Sequence, residues 1–176
     1  MKELLVAMEH DSLVKMRALL EQGVDLDQSI IIGEEYELDE PDEIGLLFYA
    51  IRTQASLEAI KLLLEYGVDI YQLDNDKISA LDTAIKFKRK DIVQLCIDKG
   101  VDLNSTKRRS GILPLLLASC FNDTEMVELL LEYGADLNAT DASGMSAKDY
   151  AKKLGQKKMV EYLDEKGAKH NLYPNE

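Results

Sequence analysis

The sequence contains little cysteine, histidine, proline or tryptophan. Its 176 residues include two cysteines, two histidines, three prolines and no tryptophan. Two cysteines without a CxxC spacing, together with His10 and His170, cannot form a four-ligand structural zinc site, and they exclude a disulfide-dense fold. Long apolar runs are also missing, because the stretch 113–119 is far shorter than the ~20 residues that cross a bilayer. We therefore expect no metal, no cofactor and no membrane segment.

The N-terminal segment lacks the pattern of a secretory signal. Lys2, Glu3 and Glu9 interrupt its apolar stretch before a hydrophobic region and a cleavage site could develop. The composition, 46% hydrophobic and 31% charged, is that of an ordinary globular protein. The length also fits one domain. These features predict a cytoplasmic protein with a single domain over residues 1–176.

Basic residues are scarce relative to acidic ones. The chain has 33 acids and 21 bases, a net charge of −12, and residues 28–43 alone contain seven acids and no base. This balance opposes binding to nucleic acid or to an anionic membrane, and it favours a protein partner with a basic patch. The seven acids are Glu34, Glu35, Glu37, Asp39, Glu40, Asp42 and Glu43.

What the sequence does contain is an internal repeat. A phrase close to Leu-Leu-Glu-Tyr-Gly-Ala-Asp occurs five times, and its glycines are 44, 33, 34 and 33 residues apart. Before each phrase, an apolar helical pattern with an alanine is followed by a polar break and a second helical pattern. Each copy is predicted to be a helix, a turn and a helix. One such pair cannot bury its apolar face alone, so the copies should stack into a solenoid. The glycines are Gly23, Gly67, Gly100, Gly134 and Gly167.

Glycine and asparagine mark the predicted ends of these helices. Gly134 follows an apolar helical face and is expected to end the helix with a positive φ. Asn122 and Gly155 lie in the breaks between helices, where a positive φ is also tolerated. Cys96 replaces a leucine of a second helix and is expected to be buried, whereas Cys120 lies on a first helix and is expected to be partly exposed.

The repeat resembles the ankyrin repeat, whose signature is T-P-L-H-x-A followed by G-A-D-x-N. Residues 134–138 read G-A-D-L-N, while the T-P-L-H box is eroded to S-A-L-D at 79–82, L-P-L-L at 113–116 and S-A-K-D at 146–149. The resemblance implies an all-α ankyrin-repeat solenoid of helix-turn-helix units with hairpin-like finger loops. We place the repeats at about 1–27, 44–73, 74–104, 105–138 and 139–170, the acidic insertion at 28–43 and a C-terminal tail at 171–176.

The acidic insertion breaks the spacing of the repeats. The distance from a repeat glycine to the next first-helix alanine is 17 or 18 residues in the later copies but 27 from Gly23 to Ala50. A further residue near Gln54 or Ala55 lengthens the helix turn of the second repeat. Long loops in compact arrays are functional or solvated, and both alternatives stay open here. The isoleucines at 30–32, with Tyr36 and Leu38, indicate that part of the loop packs down.

The resemblance implies that first helices and fingers line a concave binding groove. Phe87 and Phe121 occupy equivalent first-helix positions that the family keeps polar or variable, and finger residues Ile78, Ile112 and Met145 are expected to join them in one apolar patch. The alternative is that both rings pack against the finger stems. Partner contacts are also expected from cationic residues and from the acidic insertion: Lys86, Arg109, Lys153, Arg52, Glu34, Glu35, Glu37, Asp39 and Glu40.

No catalytic motif accompanies the repeats. The chain has no nucleophile elbow, phosphate-binding loop, zinc-protease helix or calcium loop, and its two histidines fall in the first repeat and the tail. We therefore predict no enzymatic activity and expect a protein-protein interaction module, monomeric in isolation, that acts as an adaptor, an inhibitor or an immunity-type partner. The alternative is a structural or self-assembling module without a dedicated partner.

Overall fold

The computed structural model of the chain describes residues 1–32 and 42–173. These residues form ten short helices and two short strands, so the predicted all-α class is confirmed. The elements are α1 (Lys2–Glu9), α2 (Leu13–Glu21), β1 (Ile30–Ile32), β2 (Asp42–Ile44), α3 (Leu46–Arg52), α4 (Leu57–Glu65), α5 (Ala80–Lys86), α6 (Lys90–Asp98), α7 (Pro114–Cys120), α8 (Thr124–Glu132), α9 (Ala147–Lys153) and α10 (Lys157–Glu165).

The helices pack in consecutive pairs, one pair for each copy of the repeat. The first helix of a pair is α1, α3, α5, α7 or α9, and the second is the helix that follows it. The chain divides into two compact units, Met1–Asn75 with α1 to α4 and Asp76–Glu176 with α5 to α10. The predicted single domain over 1–176 and its repeat boundaries stay predictions. Each helix in the described residues has seven to nine residues, and none has the length and apolarity needed to cross a membrane.

The turn within each pair depends on a positive φ. Asn122 has φ +54° and Gly155 has φ +67°, as predicted, and Lys88 takes the same conformation with φ +57°. Gln54 has φ +61°, and four residues separate α3 from α4 where three separate the helices of the other pairs. The extra residue expected near Gln54 is therefore present in the turn. Gly134 ends α8 with φ +89°, which confirms its predicted conformation.

The eroded boxes still provide favourable helix starts. Ser79 Oγ accepts the N–H of Asp82 at 3.1 Å, and Asp82 Oδ2 accepts the N–H of Ser79 at 3.1 Å. The same reciprocal capping box forms between Ser146 and Asp149 at the start of α9. In α7 the first helical position is Pro114, which needs no N–H partner there. Serine, aspartate and proline thus start these helices although the T-P-L-H letters are lost.

The last two fingers, defined as the loops before α7 and α9, lie against each other. The N–H of Ala142 in the last finger donates to the carbonyl of Ser110 in the finger before it, at 3.0 Å. Within the last finger, Thr140 pairs with Ser146 as an isolated antiparallel bridge. Gly111 has φ +69°, and a Cβ placed on it would lie 2.6 Å from the backbone nitrogen of Ala142. Glycine is therefore required both for the conformation and for the close approach.

The acidic insertion begins and ends as a β-hairpin in the unit Met1–Asn75. Strands β1 and β2 pair antiparallel, with Ile30 opposite Ile44 and Ile32 opposite Asp42. Ile30 and Ile44 are 6% and 9% exposed, so part of the insertion packs down as expected, whereas Ile31 is 46% exposed. Several predicted residues lie outside the described chain: Glu34, Glu35, Tyr36, Glu37, Leu38, Asp39 and Glu40.

Candidate partner-binding surface

The first helices of the unit Asp76–Glu176 pack side by side. Helix α7 contacts α5 on one side and α9 on the other. Ala84, Ala118 and Ala151 are each 0% exposed, and these small side chains permit the close approach. Packed helices lie about 8–10 Å apart. Equivalent positions on the three helices therefore form rows that cross the unit at about that spacing.

One of these rows is apolar and partly exposed to solvent. Phe87, Phe121 and Leu154 are the residues that immediately follow α5, α7 and α9. Phe121 is 38% exposed and Leu154 is 52% exposed, while Phe87 is half-buried. Such exposure favours interface residues over the alternative of rings packed on the finger stems. We call Phe87, Phe121 and Leu154 the apolar row.

Leu154 was missing from the predicted site residues. It stands three residues after Ala151, as Phe121 stands three residues after Ala118. The phase of the repeat was therefore a sufficient signal, although Leu154 lacks the aromatic ring that marks the other two positions. Its high exposure makes Leu154 the most accessible member of the apolar row.

The finger residues lie at the opposite end of the first helices. Ile78 and Ile112 precede α5 and α7, are half-buried, and are separated from the apolar row by seven-residue helices that rise about 10 Å. Met145 is 6% exposed. Its N–H donates to Asp141 Oδ1 at 2.9 Å in the turn of the last finger. The structure therefore divides the expected single patch in two and places Met145 in the interior.

Lysines border the apolar row. Lys86, Lys88, Lys152 and Lys153 are exposed, and none is ion-paired with a carboxylate in the described parts of the chain. The Nζ of Lys86 lies 5.8 Å from the centre of the Phe87 ring. We call these four lysines the basic border. Of the predicted cations, Lys86 thus lies beside Phe87, and Lys153 directly precedes Leu154.

The three acids in the turns beside the basic border, Asp91, Asp123 and Glu125, already have partners. The Arg89 guanidinium donates two hydrogen bonds to Asp91, at 2.9 and 2.7 Å, and lowers the pKa of that carboxyl. Asp123 Oδ1 accepts the N–H of Met126 at 3.0 Å and so caps α8. Glu125 is paired with Lys90. These three carboxylates are therefore bound by other protein groups and not by the lysines of the basic border.

Two predicted cations lie elsewhere. Arg109 is exposed at the tip of the finger before α7, next to Arg108, whose Nε is 3.9 Å from Asp82 Oδ2. Arg109 therefore belongs to the finger end, with Ile112, and not to the apolar row. Arg52 is half-buried at the end of α3, in the unit Met1–Asn75.

A polar cluster lies around Cys120, the residue before Phe121. Asp141 Oδ2 accepts the hydroxyl of Tyr150 at 2.5 Å, and Gln156 Nε2 donates to the carbonyl of Cys120 at 2.8 Å. Burial raises the pKa of Cys120 to about 11, and the Asp141 carboxylate adds to the shift. Cys96 is fully buried, as predicted, and burial raises its pKa to about 12. Both thiols are therefore protonated near neutral pH and are poor nucleophiles.

A buried carboxylate holds the start of the predicted tail. Asp149 is 0% exposed, and its Oδ2 accepts the N–H groups of Asn171 and Leu172 at 3.0 and 3.1 Å. Its Oδ1 accepts the N–H of Tyr173 at 3.0 Å and lies 3.0 Å from Nδ1 of His170. Burial alone would raise the pKa of this carboxyl, but the backbone N–H donors hold the pKa well below its usual range. Sequence reasoning missed this contact, because nothing in a single carboxylate indicates which backbone it binds.

These helix pairs, capped turns and stacked first helices define a helical repeat protein. The chain matches a family model described as ankyrin repeats (3 copies) over residues 4–107 and again over 97–173. It belongs to the ankyrin repeat family, as the sequence resemblance predicted. Ankyrin repeats are generally protein-protein interaction modules and are typically non-enzymatic.

A curated protein also matches the chain. An L-asparaginase from Dirofilaria immitis is 29% identical over 153 residues, which cover 87% of this chain and 24% of that protein. The chain thus spans about a quarter of that relative's length. Within residues 1–32 and 42–173, no group of three or more histidine, cysteine or acidic side chains is placed to hold a metal ion.

Proposed function

We propose that the chain is a non-enzymatic module that binds a protein partner at the apolar row. The observation that carries this proposal is that exposed Phe121 and Leu154 stand in register with half-buried Phe87 on three stacked repeats. Exposed aromatic side chains are frequent anchors of protein interfaces, and contiguous exposed apolar surface is uncommon on monomeric proteins. The family's general role in protein-protein interaction supports the same conclusion.

The acidic insertion provides a second contact in this proposal. Residues 28–43 carry seven acids and no base, which suits a basic patch on the partner. A module that covers its partner with both surfaces would act as an inhibitor or an immunity-type protein. A cytoplasmic location and a monomeric state in isolation complete the proposal.

The activity of the asparaginase relative is not part of this proposal. The aligned 153 residues make up 87% of a chain whose ankyrin matches extend over 4–173. The similarity therefore lies almost wholly in repeat residues, and three quarters of the relative has no counterpart here. Repeat sequence explains the match without a shared reaction.

Capture of the partner by the full chain tests the proposal. We expect Phe121→Ala and Leu154→Ala each to weaken binding of the captured partner by ~2 kcal/mol, because interface anchors are exposed before binding. The free energy of unfolding should change by less than ~1 kcal/mol for the same reason. Calorimetric titration and urea unfolding of each variant measure the two quantities.

Val14→Ala is the matched control, because Val14 is 85% exposed and lies on α2 in the other unit. It should leave both quantities unchanged. A loss of ~3–5 kcal/mol of stability in Phe121→Ala would instead identify Phe121 as core. Unchanged binding in both apolar-row variants would show that the partner binds elsewhere.

A further inference from the structure

The basic border indicates which kind of segment the apolar row receives. We propose that the row binds an acidic segment of the partner, in which bulky apolar residues recur at every third position between aspartates and glutamates. This inference rests on the proposed function and adds the chemistry of the bound segment. It concerns a different surface from the acidic insertion, so one partner can carry both an acidic segment and a basic patch.

The charge around the apolar row is opposite to that of the chain. Residues 86–91, 120–125 and 152–158, which form the turns beside the row, contain eight bases and three acids. By contrast, residues 1–75 contain 17 acids and 5 bases, and residues 76–176 contain 16 of each. A local positive charge of +5 within a protein of net charge −12 directs an acidic ligand to this surface and away from the rest.

The lysines of the basic border differ from other lysines of the same unit. Lys90, Lys148 and Lys166 are ion-paired with Glu125, Asp164 and Glu128. The basic border lacks such pairs within the described chain, while the acids of the adjoining turns, Asp91, Glu125 and Asp123, are bound by Arg89, by Lys90 and by the N-terminus of α8. An acidic ligand would therefore supply the missing counter-charges without displacing an existing ion pair.

The spacing of the apolar row matches the repeat distance of an extended ligand backbone. Neighbouring members lie on helices about 8–10 Å apart. A polyproline II segment has three residues per turn and rises 3.1 Å per residue, so residues three apart lie on one face about 9 Å apart. A seven-residue segment with apolar side chains at its first, fourth and seventh positions can thus contact Phe87, Phe121 and Leu154 in turn. The residues between them reach the lysines on either side.

Synthetic peptides test this inference on the full chain. The probe is fluorescein-labelled Leu-Glu-Asp-Leu-Asp-Glu-Leu, measured by fluorescence anisotropy. One comparison peptide has lysine in place of every acid, and another has alanine in place of every leucine. We expect the acidic leucine peptide to bind, with an affinity that falls as salt is added, and both comparison peptides to bind at least ~10-fold more weakly.

Charge reversals locate the bound peptide. Lys86→Glu and Lys153→Glu should each weaken binding by about fivefold or more, because each change replaces an attraction by a repulsion. Lys61→Glu is the control, since it makes the same change of charge at an exposed position on α4. Thermal melting of each variant verifies that the fold is retained. The same variants are then titrated with the captured partner.

Three outcomes would overturn the inference. The lysine peptide could bind as tightly as the acidic one, or Lys153→Glu could leave the affinity for peptide and partner unchanged. A single-stranded oligonucleotide could also bind more tightly and displace the peptide, which would identify a nucleic-acid surface. If Phe121→Ala still weakens partner binding in these cases, the inference of an acidic bound segment is wrong, while the proposed function stands. If Phe121→Ala and Leu154→Ala leave partner binding intact, the proposed site itself is wrong.

Discussion

Asp149 makes contacts that its position in the T-P-L-H box does not indicate. It occupies the histidine position of the T-P-L-H box, caps α9 with Ser146 and accepts backbone N–H groups from 171–173. A fully buried charge is tolerated only when it is hydrogen-bonded on all sides. The residue therefore links the start of the last helix pair to the chain that follows it.

We predict that Asp149 contributes stability that depends on pH. Its pKa is lowered on folding, so its contribution is complete above the unfolded-state pKa of about 3.9 and is lost as pH falls below that value. Asp149→Asn should cost about 2–3 kcal/mol at neutral pH, because charged acceptors make the stronger hydrogen bonds. Urea unfolding should show the difference between wild type and variant shrinking below about pH 4.

The exposed Glu161 provides the control for this titration. Glu161→Gln removes a carboxyl from α10, and its stability should follow that of the wild type over the same pH range. A difference between wild type and Asp149→Asn that stays constant down to about pH 2 would show that the charge of Asp149 is unimportant.

Residues with a strict conformational or packing requirement were the ones the sequence could predict. Gly134, Asn122 and Gly155 have positive φ because few residues tolerate it, and Cys96 is buried because it replaces a core leucine. Met145 has no such requirement, and its burial follows from the turn around Asp141. That turn is a tertiary feature, which the order of residues along a finger does not reveal.

At the scale of elements, strands β1 and β2 form the described part of the acidic insertion and flank residues 33–41. The sequence predicted an insertion of ten residues, and deletion of 31–40 would restore the spacing of the repeat. The structure shows that such a deletion would remove Ile31 and Ile32 from β1. Strand pairing between 30–32 and 42–44 could not be predicted, because neither segment shows an alternating pattern.

We predict that residues 33–41 can be replaced by Asn-Gly without loss of the fold. Ile32 and Asp42 are directly paired, and a two-residue turn closes such a hairpin. The free energy of unfolding should change by less than ~1 kcal/mol, since loop length has a weak effect on stability. Association with a basic partner should become slower and less dependent on salt, as stopped-flow mixing would show.

Ile30→Ala is the contrasting variant for this element. Ile30 is 6% exposed, and its truncation should cost ~2–4 kcal/mol although it leaves every acid in place. If the Asn-Gly replacement unfolds the unit Met1–Asn75 while Ile30→Ala does not, residues 33–41 contribute packing rather than charge. If association with the partner is unaffected, the insertion is a solvated loop.

At the scale of the whole molecule, negative charge and exposed apolar side chains have opposite effects on self-association. The net charge of −12 repels identical copies, yet Val6 and Val14 are 45% and 85% exposed on the first repeat. These valines are the observation that favours self-assembly. The uneven charge of residues 1–75 and 76–176 would act in the same direction.

We predict that repulsion prevails and that the chain is monomeric. Sedimentation velocity should give a mass near 19.8 kDa at all concentrations tested, in low and in high salt. Growth with concentration that Val14→Glu abolishes would instead establish the self-assembling alternative. Growth only in low salt would assign it to the uneven charge.

The protonated thiols of Cys96 and Cys120 make the protein easy to label at a chosen position. Their pKa values of about 12 and 11 leave almost no thiolate at pH 7, so the native protein should resist maleimide for hours while a cysteine introduced by Leu154→Cys reacts within minutes. Mass spectrometry after a timed reaction would check this, and prompt modification of the wild type would contradict it. A fluorophore at position 154 would then cover part of the apolar row and should block ligands that bind there, in a chain that needs no cysteine removed.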